Sequence, residues 1–216
     1  MKHFGSITAP LEAHTLTFAN MHKHGALFAN FLRARKETFI DGLGWDLPQH
    51  QEMEFDQYDT PMSRYVIVHR GEVPLAGMRL VPTTSRVMLY SYMLKDAQEG
   101  RLEGLPDMLD ESAPIRADTW EASRVLIRND PTGANTSRAR VRSIMLCEML
   151  HAASEAEVDK IICILPGWWP MMKRMGCSVR AIGPEADLDG PHQAVEIDVK
   201  SSPLLQKSPV ALSAGI

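Results

Sequence analysis

Residues 160–166, KIICILP, form an uninterrupted apolar stretch of the length of one strand. A strand that does not alternate polar and apolar residues is typical of a sheet that is covered on both faces. The chain must therefore pack other elements against both sides of this strand. This requirement favours a layered α/β sandwich over a bundle or an open sheet.

The elements predicted around this strand agree with that architecture. We predict an N-terminal helix over residues 15–40 and a loop over residues 41–62. Four strands follow in the segments RYVIVHR, PLAGMRLVP, SRVMLYSYML and TWEASRVLI. A helix is predicted over residues 138–154, and after KIICILP come a short helix, GWWPMMKRMG, and two strands, CSVRAIG and HQAVEIDV. We expect one domain over residues 1–200, with a mixed and mostly antiparallel sheet, and a flexible tail over residues 201–216.

The composition argues against several functions. The chain has 27 acidic and 23 basic residues and a net charge of −4, which disfavours a general nucleic-acid binder. No apolar run reaches the roughly 18 residues of a membrane span, and the first residues lack the apolar core of a secretory signal. We expect a cytoplasmic protein, and we expect it to be a monomer.

The metal-binding residue types show no site pattern. Three scattered cysteines in apolar surroundings, an odd number, predict reduced thiols: Cys147, Cys163 and Cys177. His22 and His24 are two residues apart and would lie on different faces of a helix, so surface histidines are expected there. We expect no bound metal.

Charged residues occupy six positions in otherwise apolar or strand-like surroundings. They are Arg35, Asp56, Asp59, Arg79, Glu121 and Arg124. Burial of an arginine or a carboxylate is unfavourable unless the charge is paired. Three positive and three negative side chains therefore predict a balanced ion-pair network. Taken singly, the arginines also fit an exposed face of the sheet, and the aspartates fit a turn.

Four motifs in a fixed order carry a family resemblance. Arg35, Phe39 and Trp45 form R-x3-F-x5-W, and DQYD, GMRL-x-PTT and WEASR follow. From about residue 30 to residue 128, and more weakly to about residue 182, the chain resembles the LuxI-type acyl-homoserine-lactone synthases. The resemblance implies a GNAT-like three-layer sandwich, related to the N-acetyltransferases, with a bulged or splayed central strand.

The resemblance also implies a reaction. The amine of S-adenosylmethionine attacks an acyl thioester on acyl carrier protein or coenzyme A, and the lactone then closes with release of methylthioadenosine. Both molecules are substrates, so no cofactor is expected. An acyl-coenzyme A N-acyltransferase with another amine acceptor, or a non-catalytic acyl-carrier-binding relative, are the alternatives. The loop RNDPTGANTS lacks the glycine-rich pattern of ordinary GNAT enzymes, which favours the synthase.

Roles for individual residues follow from the resemblance and from the chemistry. The expected catalytic residues are Asp56, Asp59, Arg79, Glu121 and Arg124, with Glu121 as the general base. The expected substrate contacts are Arg35, Phe39, Trp45, Met93, Trp120 and Ser123, with aromatic rings at the nucleoside and sulfonium and Met93 at the acyl chain. The loop over residues 41–62 is the expected S-adenosylmethionine-binding loop. Side chains alternate along a strand, so a shared pocket for Glu121 and Arg124 requires a bulge near residues 122–126.

The sequence features that indicate how the acyl donor binds are weaker. An acidic carrier protein would dock on basic residues, for which a solvated helix face is the alternative: Arg138, Arg140, Arg142, Lys173, Arg174 and Arg180. Four large residues fit an acyl tunnel or ordinary core packing: Trp168, Trp169, Met171 and Met172. Residues 161–165 lack the threonine that this family links with 3-oxo chains, which favours an unsubstituted or 3-hydroxy chain.

Overall fold

The computed structural model of the protein describes residues 9–167 and 169–214. Its strands are β1 Leu11–Leu16, β2 Gln49–His50, β3 Met53–Glu54, β4 Arg64–Arg70, β5 Val73–Pro82, β6 Thr119–Ile127, β7 Lys160–Pro166, β8 Ser178–Asp187 and β9 Pro191–Asp198. Its α-helices are α1 Leu27–Arg35, α2 Met93–Gln98, α3 Arg138–Glu155, α4 Met171–Arg174 and α5 Pro209–Ala214. Single 3-10 turns occupy Met21–His24 and Pro203–Gln206, and a π-helical segment occupies Lys36–Gly42.

The strands form one mixed sheet in the order β1-β4-β5-β6-β7-β9-β8, while β2 and β3 form a separate hairpin. β1 pairs antiparallel with β4, β6 pairs parallel with β7, and β9 pairs antiparallel with both β7 and β8. In β7, the consecutive residues Ile161, Ile162 and Cys163 are all buried, as the apolar run requires. The predicted α/β class with a mixed sheet is confirmed.

Packing divides the chain into two compact units. The first unit contains the described residues up to 79, residues 124–149 and the residues from 208 onward, and the second contains residues 80–123 and 150–207. The single acyltransferase domain over residues 1–200 stays a prediction.

The core of the first unit lies where α1 meets β4 and β5. Phe31 of α1 and Tyr65 and Ile67 of β4 are fully buried in one apolar cluster. Gly77, the glycine of GMRL, makes this close packing possible. A Cβ at Gly77 would lie 2.5 Å from Phe31 Cε2 and 2.7 Å from the Val66 carbonyl oxygen, so any larger residue would have to displace the Phe31 ring and the backbone of β4.

The start of the chain differs from the predicted helix over residues 15–40. Residues 11–16 form an edge strand instead, in register from Leu11↔Arg70 to Leu16↔Tyr65. The Thr17 N–H then donates to Asn20 Oδ1 over 2.7 Å and closes a turn, so α1 begins only at Leu27. The predicted loop over residues 41–62 contains the β2–β3 hairpin.

Two further segments correct the sequence-based predictions. The third predicted strand, SRVMLYSYML, is a tight turn in which Val87 and Tyr90 exchange backbone hydrogen bonds, followed by α2. The predicted tail contains a 3-10 turn and α5, and Leu204 within it is buried, whereas its flexibility stays a prediction. The third strand was predicted wrongly because its apolar residues suggested burial, whereas Met88 and Leu89 project from the turn into solvent.

Candidate active site

The first part of the site is a stacked aromatic pair. The chain leaves α1 at Arg35 as a π-helical segment, and the Trp45 N–H donates to the Phe39 carbonyl oxygen over 3.0 Å. This fold brings the two rings into parallel stacking, with centroids 5.2 Å apart and planes 10° apart. Phe39 is buried and Trp45 is partly buried. π-Helical turns are frequent at functional sites.

The second part is a set of buried ion pairs that begins at Arg35. Its Nε–H donates to Glu54 Oε2 over 2.5 Å. Its Nη1 and Nη2 donate to Asp59 Oδ1 and Oδ2 over 2.7 and 2.9 Å. The contact to Asp59 is therefore a bidentate pair, the strongest geometry for arginine and carboxylate.

Two further arginines complete the pairs. Arg79 Nη1 donates to Asp56 Oδ1 over 2.5 Å and lies 3.1 Å from Asp59 Oδ2. Arg124 donates from Nε to Glu54 Oε1 over 3.1 Å and from Nη2 to Asp56 Oδ2 over 2.8 Å. Each arginine thus contacts two carboxylates, and each carboxylate contacts two arginines.

The six side chains form a closed ring of alternating charge, which we call the ion-pair ring. In order around the ring they are Arg35, Glu54, Arg124, Asp56, Arg79 and Asp59. No side chain in the ring is more than 8% exposed. Buried ions are tolerated where every charge is paired and hydrogen-bonded, and the alternation meets that condition with zero net charge.

The ring controls the ionisation of its members. Burial alone would raise the pKa of Asp59, but Arg79 and Arg35 outweigh it and lower that pKa well below its usual range. Burial would lower the pKa of Arg79, yet Asp56 and Asp59 raise it above its ordinary value. Tyr65 Oη donates to Asp59 Oδ1 over 3.0 Å. The contacts with the arginines favour the ionised form of Asp59, and the two aspartates favour the ionised form of Arg79.

The two aspartates of DQYD also shape their own turn. Asp56 Oδ1 accepts the Tyr58 N–H over 2.9 Å, and Asp59 Oδ2 accepts the Asp56 N–H over 2.9 Å. The Arg79 guanidinium lies over the Tyr58 ring, 5.4 Å from its centroid. Turn formation and ion pairing, which the sequence presents as alternatives, are therefore both properties of this carboxylate pair.

Glu54 is the ring residue that sequence reasoning missed. The predicted network has Glu121 as its third acid, whereas the ring has Glu54, which is fully buried. The signal for Glu54 was its spacing. Glu54 and Asp56 are two residues apart in an extended stretch, and such residues project from the same side of the backbone.

The backbone of β6 is irregular at Arg124. Its φ is 54°, in the left-handed region that a non-glycine residue seldom adopts inside a strand. This residue lies within residues 122–126, where a bulge is predicted, and the bulge itself stays a prediction. The Arg124 guanidinium lies 6.0 Å from the centroid of the Phe39 side chain. Arg124 therefore brings the ion-pair ring into contact with the aromatic pair.

The second unit holds the other predicted residues of β6. Glu121 is 1% exposed, and its Oε2 and Oε1 accept the N–H groups of Met93 and Leu94 over 3.0 and 2.7 Å. Trp120 and Ser123 are buried as well, and Met93 is partly buried. Glu121 pairs in register with Ile162 of β7. Its assignment as the general base stays a prediction.

The basic residues predicted for carrier docking differ in their surroundings. Within the first unit, Arg138 Nη2 donates to the Ile127 carbonyl oxygen, and Arg140 donates to the carbonyl oxygens of Leu212 and Ser213. Burial, reinforced by Arg138, lowers the pKa of the Arg142 guanidinium. Arg138 and Arg140 therefore bind backbone carbonyl groups of this protein, and Arg142 is partly buried.

In the second unit, Lys173, Arg174 and Arg180 are exposed. Lys173 Nζ lies 5.7 Å from the centroid of a Trp169 ring, and Arg180 pairs with Glu196. Of the four predicted tunnel residues, Met172 is buried and Trp168 lies outside the described residues. The docking and tunnel assignments stay predictions.

Metal centres and membrane-spanning helices are absent from residues 9–167 and 169–214. In that part of the chain, no group of three or more histidine, cysteine, aspartate and glutamate side chains is arranged to hold a metal ion. Its helices include none with the length and apolar character needed to cross a membrane. Cys147, Cys163 and Cys177 are buried thiols.

Known structures share this fold. The structure of a CoA-dependent acyl-homoserine lactone synthase, MesI, matches with a TM-score of 0.72 at 22% identity, over 95% of this chain and 96% of that one. That of BjaI, a CoA-dependent synthase with SAM and isopentyl-CoA, matches with a TM-score of 0.68 at 20% identity, over 88% and 83%. The fold is therefore that of acyl-homoserine-lactone synthases, a class of acyltransferases.

Sequence comparison identifies the family. The family model for autoinducer synthases matches residues 19–195. An acyl-homoserine-lactone synthase from Acinetobacter nosocomialis is 28% identical over 179 residues, which are 80% of this chain and 91% of the relative. The chain belongs to the autoinducer synthase family.

Proposed function

We propose that this protein is an acyl-homoserine-lactone synthase that makes a quorum-sensing signal. One observation carries the proposal most strongly. Five of the six charged residues of the four sequence motifs join one buried ring beside the Phe39–Trp45 pair, and Glu121 is the exception. The five are Arg35, Asp56, Asp59, Arg79 and Arg124. The name of the relative from Acinetobacter nosocomialis supports the same activity.

The aromatic pair is the proposed site for S-adenosylmethionine. The nucleoside offers a flat surface and the sulfonium a positive charge, and a partly buried tryptophan ring attracts both. BjaI, which shares the fold, is known with SAM bound. Because the ring satisfies its own charges, we assign it a positioning role, in which it holds the end of α1, the β2–β3 hairpin and Arg124 in fixed geometry.

The proposed reaction has two steps. The amine nitrogen of S-adenosylmethionine bonds to the acyl carbon, and the thiol of the donor departs after the amine has lost a proton. The methionyl carboxylate oxygen then bonds to the carbon beside the sulfonium, the carbon–sulfur bond breaks, and neutral methylthioadenosine leaves. No cofactor is required, because both reactants are substrates.

Two requirements of the first step concern the protein. An α-amine has a reference pKa of about 7.7–8.0, so a weak proton acceptor is sufficient at neutral pH. The thioester oxygen becomes an oxyanion that needs N–H donors, and we assign these to the backbone of β6. The left-handed residue Arg124 interrupts the regular strand geometry there, which supports this assignment.

The identity of the donor is a finer proposal. We infer that the exposed residues Lys173, Arg174 and Arg180 receive an acidic acyl carrier protein, with acyl-coenzyme A as the alternative donor. Cys163 and its neighbours in β7 provide no threonine, which supports an unsubstituted or 3-hydroxy chain. We place the enzyme in the cytoplasm, because a reducing compartment keeps its buried cysteines as thiols. We also propose that it is a monomer.

The test combines purified protein and S-adenosylmethionine with acyl thioesters of several chain lengths, carried on acyl carrier protein or on coenzyme A. We expect methylthioadenosine and an acyl-homoserine lactone in equal amounts, and only when an acyl donor is present. An acylated amine without methylthioadenosine would instead indicate an N-acyltransferase. Absence of both products with every donor would contradict the proposal and favour a non-catalytic relative.

A further inference from the structure

We propose that Glu121 is a positioning residue that seats the start of α2, and that it is not the general base of the reaction. The inference rests on the proposed function, because it reassigns the role of a residue within that reaction. It is carried by contacts within the second unit. These contacts engage both carboxylate oxygens with the backbone.

The first observation is the pairing of Glu121 with the end of a helix. The first N–H groups of a helix have no carbonyl partner inside the helix. In α2 these groups belong to Met93 and Leu94, and each donates to a different oxygen of Glu121, over 3.0 and 2.7 Å. The carboxylate therefore caps α2 from the neighbouring strand β6 with both of its oxygens.

The second observation is that α2 depends on such external contacts. Asp96, also buried, accepts the Ser91 N–H over 2.9 Å, and Tyr92 Oη donates to the Pro114 carbonyl oxygen over 2.6 Å. Tyr92 itself contributes no side-chain cap to the helix. Side chains from β6 and α2 thus fix the backbone of residues 91–94 at its entry into the helix.

These contacts restrict what Glu121 can do. A general base must offer a lone pair to the substrate amine and then hold the proton. Hydrogen bonds from N–H groups favour the ionised form of a carboxylate over its protonated form. Rotation of Glu121 toward a substrate would also leave two buried N–H groups without their acceptor. The same bonds are well suited to fixing the position of Met93, which lies between the buried residues Tyr92 and Leu94.

The position of the start of α2 affects how the acyl donor binds. Met93 is the predicted acyl contact, so an error in the position of residues 93–94 changes how an acyl chain is accepted. Loss of the Glu121 bonds should therefore alter acyl-donor use, and it should not remove a titrating group from the chemical step. This expectation separates a positioning residue from a base.

The experiment compares Glu121→Gln with the wild-type protein. An amide offers one acceptor oxygen and turns an N–H₂ donor toward the other backbone N–H, so at least one of the two bonds is lost. Hydrogen exchange by NMR should then be roughly tenfold faster at the Met93 or Leu94 amide. The acidic limb of the kcat pH profile should persist, and the preferred chain length among acyl donors should shift.

A matched control and a second variant complete the design. Glu103→Gln makes the same chemical change at an exposed residue beyond the end of α2 and should leave exchange at Met93 and Leu94 unchanged. Asp96→Asn loosens the same helix start through Ser91. If Glu121→Gln does not fold, Asp96→Asn should show the faster exchange, the shifted chain-length preference and the intact acidic limb.

Other outcomes of these experiments would overturn the positioning role of Glu121. If Glu121 is the base, kcat of Glu121→Gln falls by about 100- to 10,000-fold with loss of the acidic limb. Unchanged exchange at Met93 and Leu94, or an unaltered donor preference in Asp96→Asn, would also overturn the inference. Hydrogen exchange needs no substrate, so a wild-type protein without synthase activity would refute the proposed function separately from this structural role.

Discussion

Arg35 donates its Nε–H to Glu54 Oε2 over 2.5 Å, and neither side chain exposes any surface to solvent. This pair joins the end of α1 to the β2–β3 hairpin. Arg124 contacts the other oxygen of Glu54 and continues the ring to β6. With Arg79 of β5, the ring thus fixes four segments of the chain through charges that cancel: the end of α1, residues 54–59, β5 and β6. A buried polar assembly of this kind defines geometry more than it adds stability.

The first prediction concerns the stability of the ring. Glu54→Gln removes one negative charge and leaves Arg35 and Arg124 with one carboxylate each. Removal of one partner from a buried ion pair typically costs about 3–5 kcal/mol of unfolding free energy. We expect a loss in that range for Glu54→Gln, measured by urea denaturation.

Glu52→Gln is the matched control for this measurement. Its side chain is 82% exposed and lies 4.0 Å from Lys36 Nζ, so we expect a change within about 0.5 kcal/mol. If the two variants have the same stability, the ring does not hold the first unit together as described.

The second prediction concerns acid stability. The folded protein lowers the pKa of Asp59, because Arg79 and Arg35 outweigh burial, whereas the unfolded value is about 3.9. Ionised Asp59 therefore stabilises the fold above about pH 4, and this contribution is lost as the pH falls through the folded value. Asp59→Asn should be less stable than wild type at pH 6 and should lose less further stability between pH 5 and pH 2.5. Parallel denaturation curves across that range would contradict the assignment.

The third prediction concerns the stacked pair. Trp45→Ala removes the ring that stacks on Phe39 at 5.2 Å, so we expect the KM for S-adenosylmethionine to rise roughly tenfold or more. Trp45→Phe keeps an aromatic face and should recover much of this loss. Steady-state release of methylthioadenosine measures both variants, and an unchanged KM for Trp45→Ala would remove the pair from the substrate site.

The fourth prediction concerns the acyl donor. Arg174 is exposed on α4, and Arg174→Glu reverses its charge without disturbing a core. Charges at the rim of an interface act mainly on association, so kcat/KM should fall about tenfold with acyl carrier protein and little with acyl-coenzyme A. Arg174→Lys keeps the charge and should behave like wild type. Equal effects on both donors would place the carrier elsewhere.

Some of the architecture was readable from the sequence because local pattern and tertiary environment agree. β4 and β7 were predicted from continuous apolar runs, and α3 from its helical spacing. β1 was missed because LEAHTL is short and carries polar residues, and only its pairing with β4 makes it a strand. The strand predicted over residues 85–94 extended into the first two residues of α2, since the helix is capped by Glu121, which is distant in sequence.

The candidate site was also predicted only in part from the sequence. Spacing and family resemblance supplied five members of the ring and both aromatic residues. Glu54 was not predicted, because it lies outside the four motifs and its burial arises only when the hairpin closes against Arg35. The alternation of charge around the ring is a property of three-dimensional pairing, which no linear motif encodes.

The central claim is that the buried ion-pair ring builds the site for S-adenosylmethionine. Calorimetric binding of S-adenosylmethionine to wild type, Glu54→Gln and Glu52→Gln, under conditions where all three are folded, tests it most directly. The account predicts a dissociation constant raised at least roughly tenfold, or about 1.4 kcal/mol, for Glu54→Gln and an unchanged constant for Glu52→Gln. A folded Glu54→Gln protein that binds S-adenosylmethionine as tightly as wild type would contradict it.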